Sequence, residues 1–189
     1  IYTLMGIVEN YLHIKRVNSI PVRIHVNGTR GKSTTVRLIA AILREAGYRT
    51  LAKTTGTSPK IILENGKEEI IRRKGPSNII EQKYFIKKAF QKKCDVIVVE
   101  CMAVHPETQW VSEHKIVYST IGVIANVRED HQDVYGPHLQ DTANSLKTTI
   151  PKNGVLITAD RNFFSLFQKQ AEKLNTKPIL VNSEKDNLS

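Results

Sequence analysis

Residues 21–35 run Pro21-Val22-Arg23-Ile24-His25-Val26-Asn27-Gly28-Thr29-Arg30-Gly31-Lys32-Ser33-Thr34-Thr35. Residues 21–27 alternate apolar with polar side chains, which reads as a strand. From Thr34 onward, Val36, Ile39, Ala40, Leu43 and Ala46 form a helical apolar stripe that Gly47 stops. Between strand and helix lies Gly28-Thr29-Arg30-Gly31-Lys32-Ser33. Glycines let backbone N–H groups curl around an anion, and the helix that follows adds its positive end. In such a loop Lys32 reaches the terminal phosphates of a nucleotide, and the hydroxyl of Ser33 or Thr34 holds Mg²⁺. Asn27, Gly28, Thr29, Arg30 and Gly31 complete the candidate nucleotide-binding stretch. A full phosphate loop has a glycine five residues before Gly31; Val26 stands there, so this is a shortened variant. The bland alternative is an ordinary glycine-rich strand–helix turn.

Outward from the loop, strands alternate with helices. Thr50–Thr54 is a short strand, and Ile61–Leu63 and Glu69–Ile71 flank Asn65-Gly66, a strong hairpin signal. Asn78, with Glu81 three residues on, predicts a capping box opening a helix to about Lys92. Asp95–Val99 is an apolar strand of the kind buried on both faces. A short helix around Glu107–Glu113 precedes a second apolar run, Ile121–Val127. Leu139–Thr149 reads as helix, Val155–Thr158 as strand, Asn162–Leu174 as helix and Ile179–Val181 as a last strand. The rhythm predicts an α/β fold, a mainly parallel sheet with helices on both faces and ligands at the carboxyl ends of its strands.

The composition is globular, 40% hydrophobic and 24% charged over 189 residues, enough for one domain. A net charge of +10, spread along the chain, favours polyanionic partners. Without an arginine-rich tract or an aromatic-interleaved motif, nucleic acid is not expected among them. Cys94 and Cys101 fit neither a zinc pair nor a disulfide framework, which points to a reducing compartment. The first residue is Ile1, and residues 1–8 are apolar but too few to span a bilayer, which takes about 20. They are either the end of a membrane anchor or a first helix packed on the domain.

Two further segments carry chemistry. The strand through Val99 delivers Glu100 at its carboxyl end, where the glycine-rich loop also points. A hard cation bridging phosphates needs an oxygen ligand there; otherwise Glu100 simply ends the strand in solvent. Asn126-Val127-Arg128-Glu129-Asp130-His131-Gln132-Asp133 follows the next apolar run, and Asp130, His131 and Asp133 together suit a cation. The other histidines, His13, His25, His105, His114 and His138, have no such context and read as structural.

The shortened loop resembles the Gly-Thr-x-Gly-Lys-Thr motif of the Mur ligase family, and residues 126–133 resemble that family's Asn-x-x-x-Asp-His-x-Asp signature. Among its members the stretches Asn27–Thr34, Ala46–Tyr48, Lys53–Thr57, Glu100–Val104, Ile121–Val127, Glu129–His131 and Thr149–Gly154 are most similar to the branch that makes poly-γ-glutamate. Asn78-Ile79 and Glu81-Gln82 are similar to it as well. The resemblance covers about residues 20–185.

The resemblance implies an ATP-dependent, ADP-forming amide ligase that activates a carboxylate as an acyl phosphate. Lys32, Glu100 and His131 would be its catalytic residues, with Ser33, Glu100 and His131 at the metal. ATP and Mg²⁺ are the implied cofactors. Glutamate and a growing poly-γ-glutamate chain are the implied substrates, with membrane protein subunits of a synthase complex as partners at the cytoplasmic side of the membrane. The implied organisation is an N-terminal segment over 1–20, an ATP-binding central domain over 21–189, and no C-terminal ligase domain in this chain. Many members also carry a carbamylated lysine some fifteen residues after the histidine. Lys147, sixteen after His131, is either that residue or a solvated surface lysine. Thr54–Thr57 is either a substrate or phosphate contact or a plain turn. Rival readings are a phosphate-loop kinase or nucleotide switch, another acceptor within the family (folate or a peptidoglycan precursor), and a nucleotide-binding scaffold.

Overall fold

The computed structural model describes residues 2–56, 58–73, 75 and 78–181. In chain order the elements are α1 (Tyr2–Asn18), β1 (Val22–Asn27), α2 (Lys32–Glu45), β2 (Thr50–Thr54), β3 (Lys60–Ile62), β4 (Glu68–Ile70), α3 (Glu81–Gln91) and β5 (Val96–Glu100). Then come α4 (Pro106–Val111) running into a π-helical turn (Ser112–Val117), β6 (Ile121–Ile124), α5 (Gln132–Tyr135) and α6 (Leu139–Leu146) with a 3₁₀ turn (Lys147–Thr149). β7 (Val155–Thr158), α7 (Phe164–Lys173) and β8 (Lys177–Leu180) complete the set.

All eight strands join one sheet in the order β4-β3-β2-β5-β1-β6-β7-β8. From β2 to β8 every neighbouring pair is parallel, while β3 and β4 join antiparallel at one edge. β5 is buried along its whole length because its alternate residues serve two cores. Val96 and Val98 pack with Val36 and Ala40 of α2. Ile97 and Val99 pack with Phe85 and Ile86 of α3 and Val17 of α1. A third cluster joins Ile124 and Leu156 of the sheet to Leu146 and Phe167 beneath α6 and α7. β1 sits mid-sheet, and the chain leaves it toward β2 on one side while β6 lies on the other. The crevice beyond the ends of β5, β1 and β6 is therefore where such a sheet places a ligand.

The expected fold class is the one found, with local corrections. The capping pair of Asn78 and Glu81 forms in altered shape. Asn78 Oδ1 accepts the Ile80 N–H at 2.9 Å, and the Glu81 carboxylate takes the Asn78 N–H while also holding Arg73, at 2.6 and 3.1 Å. The Leu139–Thr149 helix tightens at Lys147 into a 3₁₀ turn, and α7 starts at Phe164, where Asp160 Oδ1 accepts the Phe163 N–H at 3.1 Å. α1 is a helix that buries His13 and Val17 against the domain, with Ile20 just after it; Leu4, Met5, Ile7 and Val8 are exposed. Among the described residues no helix is long and apolar enough to cross a membrane.

Candidate functional site

Gly28 opens the loop after β1 with φ +131°, and Gly31 closes it with φ +79° as the cap of α2. A side chain at Gly28 would meet Ala125 N at 3.1 Å and Asn126 N at 3.2 Å, so glycine is what lets β1 and the end of β6 approach so closely. Asn126 then grips the loop. Its Oδ1 accepts from the Thr29 hydroxyl at 2.7 Å and from Arg30 N–H at 3.1 Å, and its amide donates to Arg30 O at 2.9 Å. The Lys32 ammonium folds back over the loop onto Gly28 O at 2.7 Å and Thr29 O at 3.1 Å. The Arg30 guanidinium is two-thirds exposed and reaches Asp130 only at 3.4 Å. The N–H groups at the start of a 14-residue helix, beside a lysine, are the kind of donors that suit an anion.

Under the loop, the Ser33 hydroxyl donates to Glu100 Oε2 at 2.8 Å, and Thr55 N–H donates to the same oxygen at 2.8 Å. Glu100 is buried at the end of β5. Of Ser33 and Thr34, Ser33 makes the contact with Glu100, and Thr34 is exposed. Thr55 and Gly56 thus pack against this oxygen pair, while Thr57 lies outside the described residues.

His131 is placed differently. It takes φ +46°, its ring meets Tyr135 edge-on at 6.1 Å, and it is exposed. It lines a cavity of about 470 Å³ with Asn78, Ile79, Met102, Val104 and His105. The cavity thus adjoins the segment that follows Glu100. Asp130, His131 and Asp133 share a shallow recess, yet among the described residues no three His, Cys, Asp or Glu side chains converge tightly enough to hold a metal. The expected three-residue cation cluster is corrected accordingly. The donor set that fits a hard cation is Ser33 with Glu100, two oxygens leaving most positions for phosphate and water, as Mg²⁺ prefers. Lys147 donates to Asn144 within its own turn at 2.7 Å.

Of the remaining histidines, His105 lines the cavity with His131, while His25, His13 and His138 hold elements together. His25 is buried against Glu113 at 2.7 Å. Burial alone would lower its pKa, but the neighbouring Cys101 and the Glu113 carboxylate raise it to about 10. His13 meets Ile116 O at 2.8 Å, and His138 caps α6, its N–H bound by Asp141 at 3.1 Å. Both cysteines are free and buried.

Two residues near the site escaped the sequence. Lys53 is buried on β2, its ammonium 3.5 Å from Glu81 and 3.7 Å from Met102 Sδ; burial pulls its pKa down while Glu81 opposes. Gln109 is fully buried on α4 and makes four side-chain hydrogen bonds. Nothing in residues 106–111 marks it, since its partners are distant in sequence.

Comparison with known proteins adds a lineage. Residues 26–189 match the Mur ligase middle domain. The capsule biosynthesis protein CapB of Bacillus anthracis is 44% identical over 184 residues, covering 96% of this chain and 40% of that protein. The PGA synthase CapB of Bacillus subtilis (strain 168) is 43% identical over 185 residues, 96% of this chain and 47% of its own. The chain thus spans less than half the length of these relatives. Among solved structures, the bifunctional folylpolyglutamate synthase/dihydrofolate synthase of Yersinia pestis superposes with a TM-score of 0.65 at 16% identity, over 91% of this chain and 47% of that one. E. coli FolC in complex with DHPP and ADP gives 0.60 at 18%, over 90% and 45%.

Proposed function

This chain belongs to the Mur ligase family through its middle domain, and from that premise we propose that it is the nucleotide-binding part of an ATP-dependent, ADP-forming ligase that extends poly-γ-glutamate. The observation that carries the reading is the Ser33–Glu100 contact at 2.8 Å directly beneath the glycine-rich loop. A phosphate cradle and a hard-cation oxygen pair then share one crevice. The identity to the two Bacillus proteins supports the glutamate acceptor.

In this reading the N–H groups of Gly28–Thr34 and the Lys32 ammonium bind the phosphates of ATP. Lys32 leaves Gly28 O and Thr29 O to do so. Ser33 and Glu100 would hold Mg²⁺, which supplies charge neutralisation at the phosphates when bound. A carboxylate oxygen of the acceptor chain attacks the γ-phosphorus, the bond to the bridging oxygen breaks, and ADP leaves. The amine of an incoming glutamate then attacks the acyl carbon, phosphate departs, and the amine proton is lost to give the amide. His131 faces the cavity where the acceptor carboxylate would lie and orients it. Catalysis of this type is mostly positioning and electrostatics.

The proposal extends to place and partners: the cytoplasmic side of the membrane, with membrane protein subunits of a synthase. The exposed Leu4, Met5, Ile7 and Val8 on α1 and the +10 charge support it. The test is ADP and phosphate release from Mg-ATP by the full-length protein in membranes, with and without glutamate, beside Lys32→Ala. Release that depends on glutamate, yields amide polymer and falls about 100-fold or more in the variant is expected. Release indifferent to glutamate would instead support a kinase, a switch or another acceptor, and nucleotide binding without turnover a scaffold.

A further inference from the structure

The four hydrogen bonds of Gln109 link two parts of the crevice. At one end the Gly28 N–H donates to Asn27 Oδ1 at 2.8 Å. The Asn27 amide donates in turn to Gln109 Oε1 at 2.9 Å and to the Thr149 hydroxyl at 3.2 Å. At the other end the two amide hydrogens of Gln109 face three acceptors, Val104 O at 2.8 Å, Ser145 Oγ at 3.1 Å and Tyr135 OH at 3.2 Å, so that one hydrogen is shared. Val104 lines the cavity beside His131, and Tyr135 carries the edge-on contact with the His131 ring.

The polarity of this chain is fixed from both ends. A backbone N–H can only donate and a backbone carbonyl can only accept, so Gly28 orients Asn27, and Val104 orients Gln109. Neither amide can flip without leaving a buried group unpaired. Asn27 and Gln109 are both buried, so water does not substitute readily for a lost partner. Burial first, then the neighbouring Cys101 and Asp130, push the Tyr135 phenol up to about 12, so its hydroxyl keeps its proton across the working range.

We propose that Gln109 is a positioning residue that ties the glycine-rich loop to the cavity beside His131, so that nucleotide and acceptor affinities depend on each other through it. The proposal rests on the ligase reading above, in which the loop takes the nucleotide and the cavity the acceptor carboxylate. Such coupling is reciprocal: a nucleotide that steadies Gly28 tightens the acceptor by the factor with which the acceptor tightens the nucleotide.

The experiment measures binding of AMPPNP with Mg²⁺ and of a short γ-linked glutamate oligomer to the full-length protein, each with and without the other. In the wild type each ligand is expected to tighten the other on the order of five-fold or more. Gln109→Met fills the same space without polar amide atoms and is expected to bring that factor close to one. Tyr135→Phe removes only the Tyr135 link at the cavity end and keeps that to Val104 O, leaves AMPPNP affinity alone within about two-fold, and lowers the coupling in part. That milder change keeps the test usable if Gln109→Met folds poorly. A lowered unfolding midpoint with the coupling factor unchanged in both variants would overturn the proposal and leave Gln109 a packing residue. Wild-type protein that binds AMPPNP but not the oligomer would contradict the acceptor assignment itself, and the coupling with it.

Discussion

The two ends of the candidate site are built by different means. The proposed nucleotide end is made of backbone: two glycines at positive φ, the start of α2, and Asn126 bridging residues 29 and 30 with three hydrogen bonds. Its oxygen pair, Ser33 and Glu100, is already in contact. The proposed acceptor end is made of side chains on short segments, with His131 exposed and braced by one aromatic contact. Phosphate groups are the same in every nucleotide, so a rigid cradle suits them, whereas an acceptor chain must enter, react and leave. Substitutions at the two ends should therefore separate nucleotide affinity from acceptor use.

The largest separation is expected at His131. In His131→Ala, glutamate-dependent turnover falls about 100-fold, while AMPPNP affinity changes by no more than about two-fold. Parallel losses in both would erase the distinction between the ends. Gly28→Ala should act the other way. Its new methyl would crowd Ala125 and Asn126, at φ +131°, costing about 1–3 kcal/mol and a comparable share of nucleotide affinity. Isothermal titration and thermal unfolding of the same variant check both effects.

Asn126→Ala sharpens the comparison further. It unties the loop without adding strain, leaves the Arg30 N–H and carbonyl without their side-chain partner, and should weaken AMPPNP about five- to ten-fold, or ~1 kcal/mol. The Glu100 side of the site should be untouched, so the Mg²⁺ dependence of what binding remains should persist.

The smallest effect concerns neither end directly. The folded-state pKa of His25 is raised to about 10 from 6.5, so the stability its imidazolium contributes is full below pH 6.5 and is lost as the pH rises through about 10. The difference in urea midpoint between the wild type and His25→Gln should therefore narrow from pH 6 to pH 10. A difference that widens over that range would reverse the assignment.

The same contrast explains what the sequence could disclose. The glycine-rich loop is local, so strand, loop and helix were legible in one stretch, and the unbroken apolar run of β5 announced Glu100 at its end. The hairpin was legible from Asn65-Gly66, where Gly66 does take φ +80°. Helix boundaries suffered where a distant partner competed. Glu81 meets Asn78 as a capping pair, but its carboxylate also serves a bidentate Arg73 and the buried Lys53 ammonium, because a buried cation without a counter-charge is costly. Gln109 was illegible for a related reason: its partners come from residues 27, 104, 135 and 145, and only the folded sheet assembles them. The cation cluster expected at residues 130–133 fails because Asp130 leans toward Arg30 and Asp133 faces solvent.

The most direct test of the central claim is the Mg²⁺ dependence of ATP binding in the wild type and in Glu100→Gln. If Ser33 and Glu100 hold the cation against the phosphates, Mg²⁺ tightens ATP in the wild type, and the variant loses most of that gain while keeping the metal-free affinity. A wild type indifferent to Mg²⁺, or a variant that retains the full gain, would contradict it.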